Sequence, residues 1–214
     1  LGAQSLPNEP VLEKLFGKSG QDVLVDLVEN RQSEIAAVGT TSRGINGGAD
    51  IYWLLLDKNL QLQQERYIGR DGDDGANAMS LAADGRYLVA GYSTLPSGKS
   101  KVRERYLGGR DGWLLVLNEK GQTEQELVLG TKVDDEFTNT FPLADGGFLL
   151  AGNAGNQAWF VRVNRLGEVI WEKKLQYHRL WTQVNGAVLT FDNQLFATGY
   201  VLDGVNRQMW LASF

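Results

Sequence analysis

The sequence has no cysteine and a single histidine among its 214 residues. The lack of cysteine excludes disulfides, zinc–thiolate sites and cysteine nucleophiles. One histidine leaves no paired-histidine chemistry and few ways to build a metal site. Lys and Arg number 21 against 26 Asp and Glu, a formal net charge of −5, which argues against a nucleic-acid-binding face across the whole domain. No apolar stretch approaches the roughly 20 residues of a membrane-spanning helix.

Proline is also scarce, with four residues, whereas glycine is abundant with 26, well above its usual share of about 7%. The chain carries six Trp, seven Tyr and eight Phe. Abundant glycine and aromatic residues favour many short strands joined by tight turns over helices. A chain of this length is expected to form one domain whose core needs no disulfides.

Four strand patterns recur along the chain, which we label A to D in the order of each repeat. Pattern B is a hydrophobic run ending in glycine, at 35–39, 87–91, 148–152 and 195–199. Pattern C is a run that begins with an aromatic residue, at 52–56, 113–117, 159–163 and 210–214. Pattern A precedes B, at 22–28, 76–82, 137–143 and 184–190. Pattern D follows C, at 62–69, 123–130 and 169–176.

The spacing of these patterns predicts the fold. The pattern B glycines are 52, 61 and 47 residues apart, a period of the size of a propeller blade. Each repeat reads as a four-stranded antiparallel meander, so we predict an all-β chain, a four-bladed β-propeller. The predicted blades are approximately 18–69, 70–130, 131–176, and 177–214 plus 11–17. The segment 11–17 resembles a D strand, and we predict that it closes the ring by completing the last blade.

The repeat resembles a known group of proteins. An acidic pair, an apolar strand, an Asp-Gly turn, a strand ending in Ala-Gly and an Asp-x-Trp sequence follow one another at 73–91, 111–113 and 134–152. This order is similar to the propeller-like repeats of bacterial secreted and surface proteins, particularly those of Bacteroidetes. The first repeat lacks Asp-Gly-Gly and the fourth lacks the acidic pair. The resemblance implies a structural repeat and an exported protein, and it carries over no catalytic residue.

Polar and aromatic residues that recur once per repeat are expected to serve the scaffold. They stand at the start of strand A (Asp22, Asp74, Asp135, Thr182), before strand C (Asp50, Asp111, Gln157, Gln208) and at its first aromatic position (Tyr52, Trp113, Trp159, Trp210). The polar residues are predicted to cap backbone N–H groups in the turns that enter strands A and C. The aromatic residues are predicted to pack between blades. A cation held by an acidic ring is the alternative for the carboxylates.

Two connections interrupt the repeat and are the candidate binding face. The B–C connection of the second repeat, at 95–110, is long and basic, with Lys99, Lys101, Arg103, Arg105, Tyr106 and Arg110. The D–A connection into the fourth repeat replaces the acidic pair with Tyr177, His178, Arg179 and Trp181. Alternate turns of a meander alternate faces, so both connections are expected on one face, across the channel from each other. The alternative is that both are ordinary solvated loops.

These features predict a non-catalytic binding or scaffolding module of a secreted, periplasmic or cell-surface protein. A protein or a polyanion is the expected partner, the chain is expected to be a monomer, and no cofactor, metal or nucleic acid is expected. No Gly-x-Ser-x-Gly motif accompanies His178. The carboxylate pairs at 73–74 and 134–135 keep a carbohydrate-binding or carbohydrate-active domain open as the alternative.

Overall fold

The computed structural model describes residues 12–17, 20–45, 47–94 and 109–214. These residues form four antiparallel sheets, and no helix within them is long and apolar enough to cross a membrane. The first sheet holds β1 (Asp22–Glu29), β2 (Ile35–Thr41), β3 (Asp50–Leu56) and β4 (Leu62–Ile68). The second holds β5 (Asp74–Leu81), β6 (Tyr87–Ser93), β7 (Asp111–Leu117) and β8 (Thr123–Leu129). The third holds β9 (Asp135–Pro142), β10 (Phe148–Ala154), β11 (Gln157–Val163) and β12 (Val169–Leu175). The fourth holds β13 (Trp181–Leu189), β14 (Leu195–Leu202) and β15 (Arg207–Ser213).

Each sheet is a meander whose strands pair in chain order, as the repeat predicts. The strands predicted for patterns A to D are confirmed, and each observed end lies within three residues of the predicted one. The B strands extend further at their C-terminal ends and the C strands at their N-terminal ends. The prediction of an all-β chain is therefore confirmed for the described residues.

The glycine that ends each B strand is explained by the A strand beside it. Strand A carries a bulge opposite this glycine, for example between Ala76 and Ala78 opposite Gly91. At the bulge a backbone carbonyl approaches the glycine so closely that a Cβ on Gly91 would lie 1.9 Å from the oxygen of Gly75. The corresponding distances at Gly39, Gly152 and Gly199 are 1.9, 2.1 and 1.8 Å. The repeat therefore keeps glycine because no side chain fits there.

Consecutive sheets pack face to face along apolar seams. The first seam joins Trp53 of β3 to Tyr87 and Trp113 of the second sheet. The second joins Leu114 of β7 to Trp159 of β11, and the third joins the side chains of β10 and β11 to those of β13 and β14. Burial of these aromatic and aliphatic side chains supplies most of the stabilisation of such a stack.

The predicted ring closure is wrong. Residues 12–17 form no strand, the fourth sheet has three strands, and the first and fourth sheets share no seam comparable to the other three. The physical reason lies at Phe16, which packs on the outward face of the first sheet against Tyr52 and Leu54 and so keeps this segment away from β15. Val11 lies outside the described residues.

Candidate functional site

The B–C and D–A connections share one edge of the sheet stack, here called the loop edge. A residue at the start of strand A donates its N–H to the carbonyl of the residue that precedes strand C of the previous sheet. Asp74 donates to Ala49 at 2.7 Å, and Asp135 donates to Arg110 at 2.7 Å. In the fourth sheet Thr182 donates to Asn156 at 3.0 Å. In the described residues, B–C and D–A connections therefore lie on the same edge. The basic residues predicted at 99–106 lie outside the described part of the chain.

Side chains at the start of strand A cap the turn that enters it. Asp74 Oδ2 accepts the N–H of Arg70 at 2.5 Å, Asp135 Oδ2 accepts the N–H of Thr131, and Thr182 Oγ1 accepts the N–H of Tyr177 at 2.8 Å. The scaffold role predicted for these three residues is confirmed. Each side-chain oxygen accepts a backbone hydrogen bond within the turn that enters its own strand.

The other aspartate of each acidic pair also accepts a backbone N–H, from the B–C connection beside it. Asp73 Oδ1 accepts the N–H of Ala49 at 3.0 Å, and Asp134 Oδ1 accepts the N–H of Arg110 at 3.0 Å. The pairs therefore join the connections of neighbouring sheets. Within the described ranges, no group of three His, Cys, Asp or Glu side chains is placed to hold a metal ion.

The carboxylates that precede strand C behave less uniformly. Asp50 Oδ2 accepts the N–H of Ile45 at 2.7 Å, which confirms the predicted cap there. Asp111 is fully buried, and neither of its oxygens has a hydrogen-bond partner. Burial, with the charges of Asp135 and Asp134 adding to it, raises the pKa of Asp111 to about 7. Burial also raises the pKa of Asp74 to about 6, against its bonds to Ser93 and Arg70.

The aromatic column of strand C packs between sheets where a preceding sheet exists. Trp113 and Trp159 are 3% and 0% exposed, which confirms the predicted packing, and Trp210 is partly buried against the third seam. Trp113 Nε1 donates to Glu126 at 3.2 Å and Trp159 Nε1 to Glu172 at 3.0 Å. The glutamates follow their aromatic partners by 13 residues, a spacing that is visible in the sequence and was not used in the prediction.

The connection into the fourth sheet departs from this scaffold. Trp181 stands where Asp73 and Asp134 stand in the earlier connections, and its side chain is 45% exposed. Leu180 N–H donates to the carbonyl of Tyr177 at 2.9 Å, closing a tight turn over residues 177–180. Here the repeated carboxylate gives way to an aromatic side chain that faces solvent.

Two consecutive residues of that turn have left-handed backbone conformations. His178 has φ 48° and Arg179 has φ 66°, the geometry of a type I′ turn, which usually carries Asn-Gly. Neither position is occupied by glycine, the residue that adopts this conformation at the lowest cost in free energy. The Tyr177 and His178 rings meet edge to face at 4.3 Å. Tyr177, His178 and Arg179 are all exposed, so the turn presents two aromatic rings and a guanidinium outward.

A pocket of about 180 Å³ lies beside this turn, between the second, third and fourth sheets. Trp181 and Gln183 line one side, and Asp134, Glu136 and Arg110 line the other. The Arg110 guanidinium lies over the Tyr92 ring at 4.2 Å and 3.9 Å from Glu136 Oε2. The pocket therefore combines an exposed indole with carboxylate, amide and guanidinium groups, the set that binds polar ligands.

The predicted binding face is placed in part. Tyr177, His178, Arg179 and Trp181 lie together on the loop edge, as predicted. Lys99, Lys101, Arg103, Arg105 and Tyr106 lie outside the described residues. The predicted placement across a four-bladed channel is wrong, because the first and fourth sheets do not meet. Arg110 belongs to the basic connection that the sequence indicated. The sequence did not point to Glu136 and Gln183 as pocket residues, since their proximity to Arg110 depends on how the sheets stack.

Comparison with known proteins informs the fold. The sequence matches no family model and no curated protein. The structure is similar to the crystal structure of a protein of unknown function from Bacteroides caccae, with a TM-score of 0.57 at 11% sequence identity. The match covers 94% of this chain and 64% of that one, so the chain spans under two thirds of its structural neighbour. At this identity the likeness concerns the fold alone.

Proposed function

We propose that this chain is a non-catalytic binding module built from propeller-like blades, and that it binds its partner at the loop edge of the third and fourth sheets. The observation that carries the proposal is the turn over residues 177–180. It replaces a structural carboxylate with exposed aromatic and basic side chains and holds two of them in left-handed backbone. Strained residues that the surrounding fold maintains are concentrated at functional sites.

The contrast with the earlier connections supports a role other than folding. The connections into the second and third sheets meet their neighbours through Asp73 and Asp134 and contain no left-handed residue. Thr182 alone caps the fourth. The fold therefore needs neither Trp181 nor the left-handed pair, and a ligand contact accounts for both.

The chemistry of the turn favours an acidic protein segment or another polyanion. Arg179 supplies a planar guanidinium for carboxylate or phosphate, and Tyr177 and Trp181 supply flat apolar surface of the kind enriched at binding hot spots. Single exposed charge contacts contribute only about 0–1 kcal/mol each, so the basic and aromatic groups must act together. Binding is then expected to weaken as salt rises.

A non-catalytic role is supported by the carboxylate pairs. Glycoside hydrolysis would require two carboxyl groups free to act on a substrate. Asp73, Asp74, Asp134 and Asp135 instead accept backbone N–H groups of the connections. The proposal also places the module in an exported or surface protein, which rests on the resemblance of its repeats and is tested by fractionating cells that express the gene.

A carbohydrate ligand is the second candidate, favoured by the pocket. Trp181 lines it together with Asp134, Glu136 and Gln183, and an exposed ring beside polar groups is a sugar-binding arrangement. The buried positions of Trp113 and Trp159 remove them from such a site. A carbohydrate site would therefore rest on Trp181 and Tyr177.

Titration of the intrinsic tryptophan fluorescence with three probes tests the proposal: poly-glutamate, a heparin oligosaccharide and an array of neutral glycans. We expect binding of an acidic probe at low salt, about two- to fivefold weaker in Arg179→Ser and at least tenfold weaker in Trp181→Ala. Trp171→Ala is the matched control, because Trp171 is 38% exposed on the outer strand β12. Binding of a neutral glycan that depends on Trp181 and not on Arg179 would support the second candidate. Equal affinities of all variants for every probe would exclude the loop edge as the binding site.

A further inference from the structure

Two sheet faces are covered by no other sheet in the described parts of the chain. The open face of the fourth sheet carries Val188, Phe196, Thr198, Met209 and Leu211. The open face of the first sheet carries Leu24 and Leu27 of β1, which are 45% and 63% exposed. Tyr52 and Leu54 on the same face are already buried, with Phe16 packed against them. Both faces are largely apolar. Large exposed apolar surfaces on a folded protein mark interaction sites.

Register shows that the open face of the fourth sheet repeats a face that is buried elsewhere. Leu211 pairs with Thr198, one residue before the repeated glycine, as Leu114 pairs with Ala90 and Phe160 with Ala151. Leu114 and Phe160 are each 2% exposed, whereas Leu211 is 74% exposed. The position whose side chain packs in the seam to the next sheet in the second and third sheets is therefore exposed to solvent in the fourth.

The same comparison holds on the other side of the stack. Leu24 lies opposite the repeated glycine of the first sheet, as Ala76, Phe137 and Val184 do in the others. Those three are 3%, 0% and 0% exposed, whereas Leu24 is 45% exposed. The two open faces are thus the two halves of one kind of seam, separated from each other.

Residues 12–17 lie where an outer strand of a preceding sheet would lie. Phe16 precedes Gly17 as Leu129 precedes Gly130. Leu129 packs in the seam to the following sheet, and Phe16 packs in the same way on the first sheet. Glu13 stands four residues before its glycine, as does Glu126, which binds Trp113 in its own sheet.

We infer that the open faces are seams for two further units of the same repeat, and that the four sheets form part of a six-sheet ring. The repeat units that bridge the two open faces would supply an outer strand to the fourth sheet, one complete four-stranded unit, and three inner strands of a last unit whose outer strand is residues 12–17. Two observations support this occupant: the continuity of both faces with three existing seams, and the length of the Bacteroides caccae structure, which has chain for about two more units of this size. The inference is independent of the ligand proposed above, because no residue of the loop-edge turn takes part.

An extended chain tests the inference. A copy of residues 118–214 is joined directly after Phe214. Phe214 pairs with Leu195 as Leu117 pairs with Tyr87, so a copy that starts at Asn118 begins in register. Leu211→Glu in the original repeat is then compared in the parent and extended chains by thermal unfolding. We expect a shift of at most about 1 °C in the parent chain and a loss of at least about 5 °C in the extended one. Leu27→Glu should behave the same way at the second seam.

Matched controls and decisive outcomes accompany this design. Leu166→Glu is the control, because Leu166 lies in a turn and is 73% exposed, so its effect should be small in both chains. Binding of a hydrophobic dye should fall at least twofold on extension. Equal small effects of Leu211→Glu in both chains would overturn the inference, as would sensitivity of Leu211 without sensitivity of Leu27. A concentration-dependent dimer of the parent chain that Leu211→Glu disperses would overturn it in favour of a second copy.

Discussion

The second and fourth sheets are built from the same repeat and meet different surroundings. Each has the glycine-terminated strand and the tryptophan of strand C in identical register. The second sheet lies between two seams, whereas the fourth has a seam on one face only. Leu114 is therefore buried and its counterpart Leu211 exposed. The repeat determines strand pairing, while neighbouring sheets determine which of its side chains form a core.

The same two sheets also differ at the loop edge. The second sheet starts its A and C strands with Asp74 and Asp111, both fully buried. The fourth has Thr182 and Gln208 at these positions. Asp74 caps its turn at the cost of desolvation, whereas Asp111 is desolvated without a hydrogen-bond partner. In the fourth sheet a hydroxyl suffices, and the adjoining turn is free to carry the exposed groups of the proposed binding site.

Truncation of the matched leucines should give the largest difference between the two sheets. Leu114→Ala leaves a cavity in the second seam and is expected to lower the free energy of unfolding by about 2–5 kcal/mol. Leu211→Ala removes an exposed side chain and is expected to change it by less than about 0.5 kcal/mol. Urea unfolding followed by tryptophan fluorescence measures both. Equal losses would show that the open face of the fourth sheet is covered in solution.

A pair of glycine substitutions should give the next largest effect. Gly91→Ala places a Cβ 1.9 Å from a backbone oxygen that the bulge fixes, so we expect a loss of about 1–3 kcal/mol or more. Gly186→Ala in the fourth sheet meets only a methyl carbon at 3.7 Å and should change stability by less than about 0.5 kcal/mol. Circular dichroism melts compare the two. A tolerated Gly91→Ala would contradict the explanation given for the repeated glycine.

Local patterns allowed the strands to be predicted, whereas the stacking depended on distant residues. The glycine and aromatic positions identify β2, β6, β10 and β14 because each reflects a contact within its own unit. The closure was predicted from the likeness of 11–17 to a D strand, and that likeness does not specify which sheet such a strand joins. Phe16 packs on the first sheet. The turn at His178 was found because it breaks the repeat, while Glu136 was missed because its place in the pocket depends on the stack.

The buried aspartates of the second sheet predict a pH dependence that the fourth sheet lacks. Folding raises the pKa of Asp111 to about 7 and that of Asp74 to about 6, above the value of about 3.9 in an unfolded chain. Between these values the folded state holds protons that the unfolded state has released, so stability falls as pH rises from about 4 to 7. The chain should therefore unfold at a higher temperature at pH 5 than at pH 8.

Replacement of the most perturbed carboxylate sharpens this test. Asp111→Asn cannot ionise, so it should raise stability at pH 8 by on the order of 1–2 kcal/mol and flatten the dependence between pH 5 and 8. Asp71→Asn, at an exposed position on the same edge, is the control and should leave the slope unchanged. Melts in one buffer series at constant ionic strength give the comparison. An unchanged slope in Asp111→Asn would mean that this carboxyl group is solvated in the folded protein.

The smallest expected effect separates stability from binding at the turn that distinguishes the fourth sheet. Arg179 has φ 66°, a conformation that costs an L-residue roughly 1–2 kcal/mol, and glycine would avoid this cost while adding entropy to the unfolded chain. Arg179→Gly should thus stabilise the fold by a net of about 0.5–1 kcal/mol while weakening poly-glutamate binding. Asn193→Gly is matched, because Asn193 has φ 64° in the β13–β14 turn, and it should leave binding unchanged. If Arg179 is strained because the ligand needs it, Arg179→Gly must both stabilise the fold and weaken binding. A stabilised Arg179→Gly variant that binds poly-glutamate as tightly as the parent would show that the strained backbone does not serve binding.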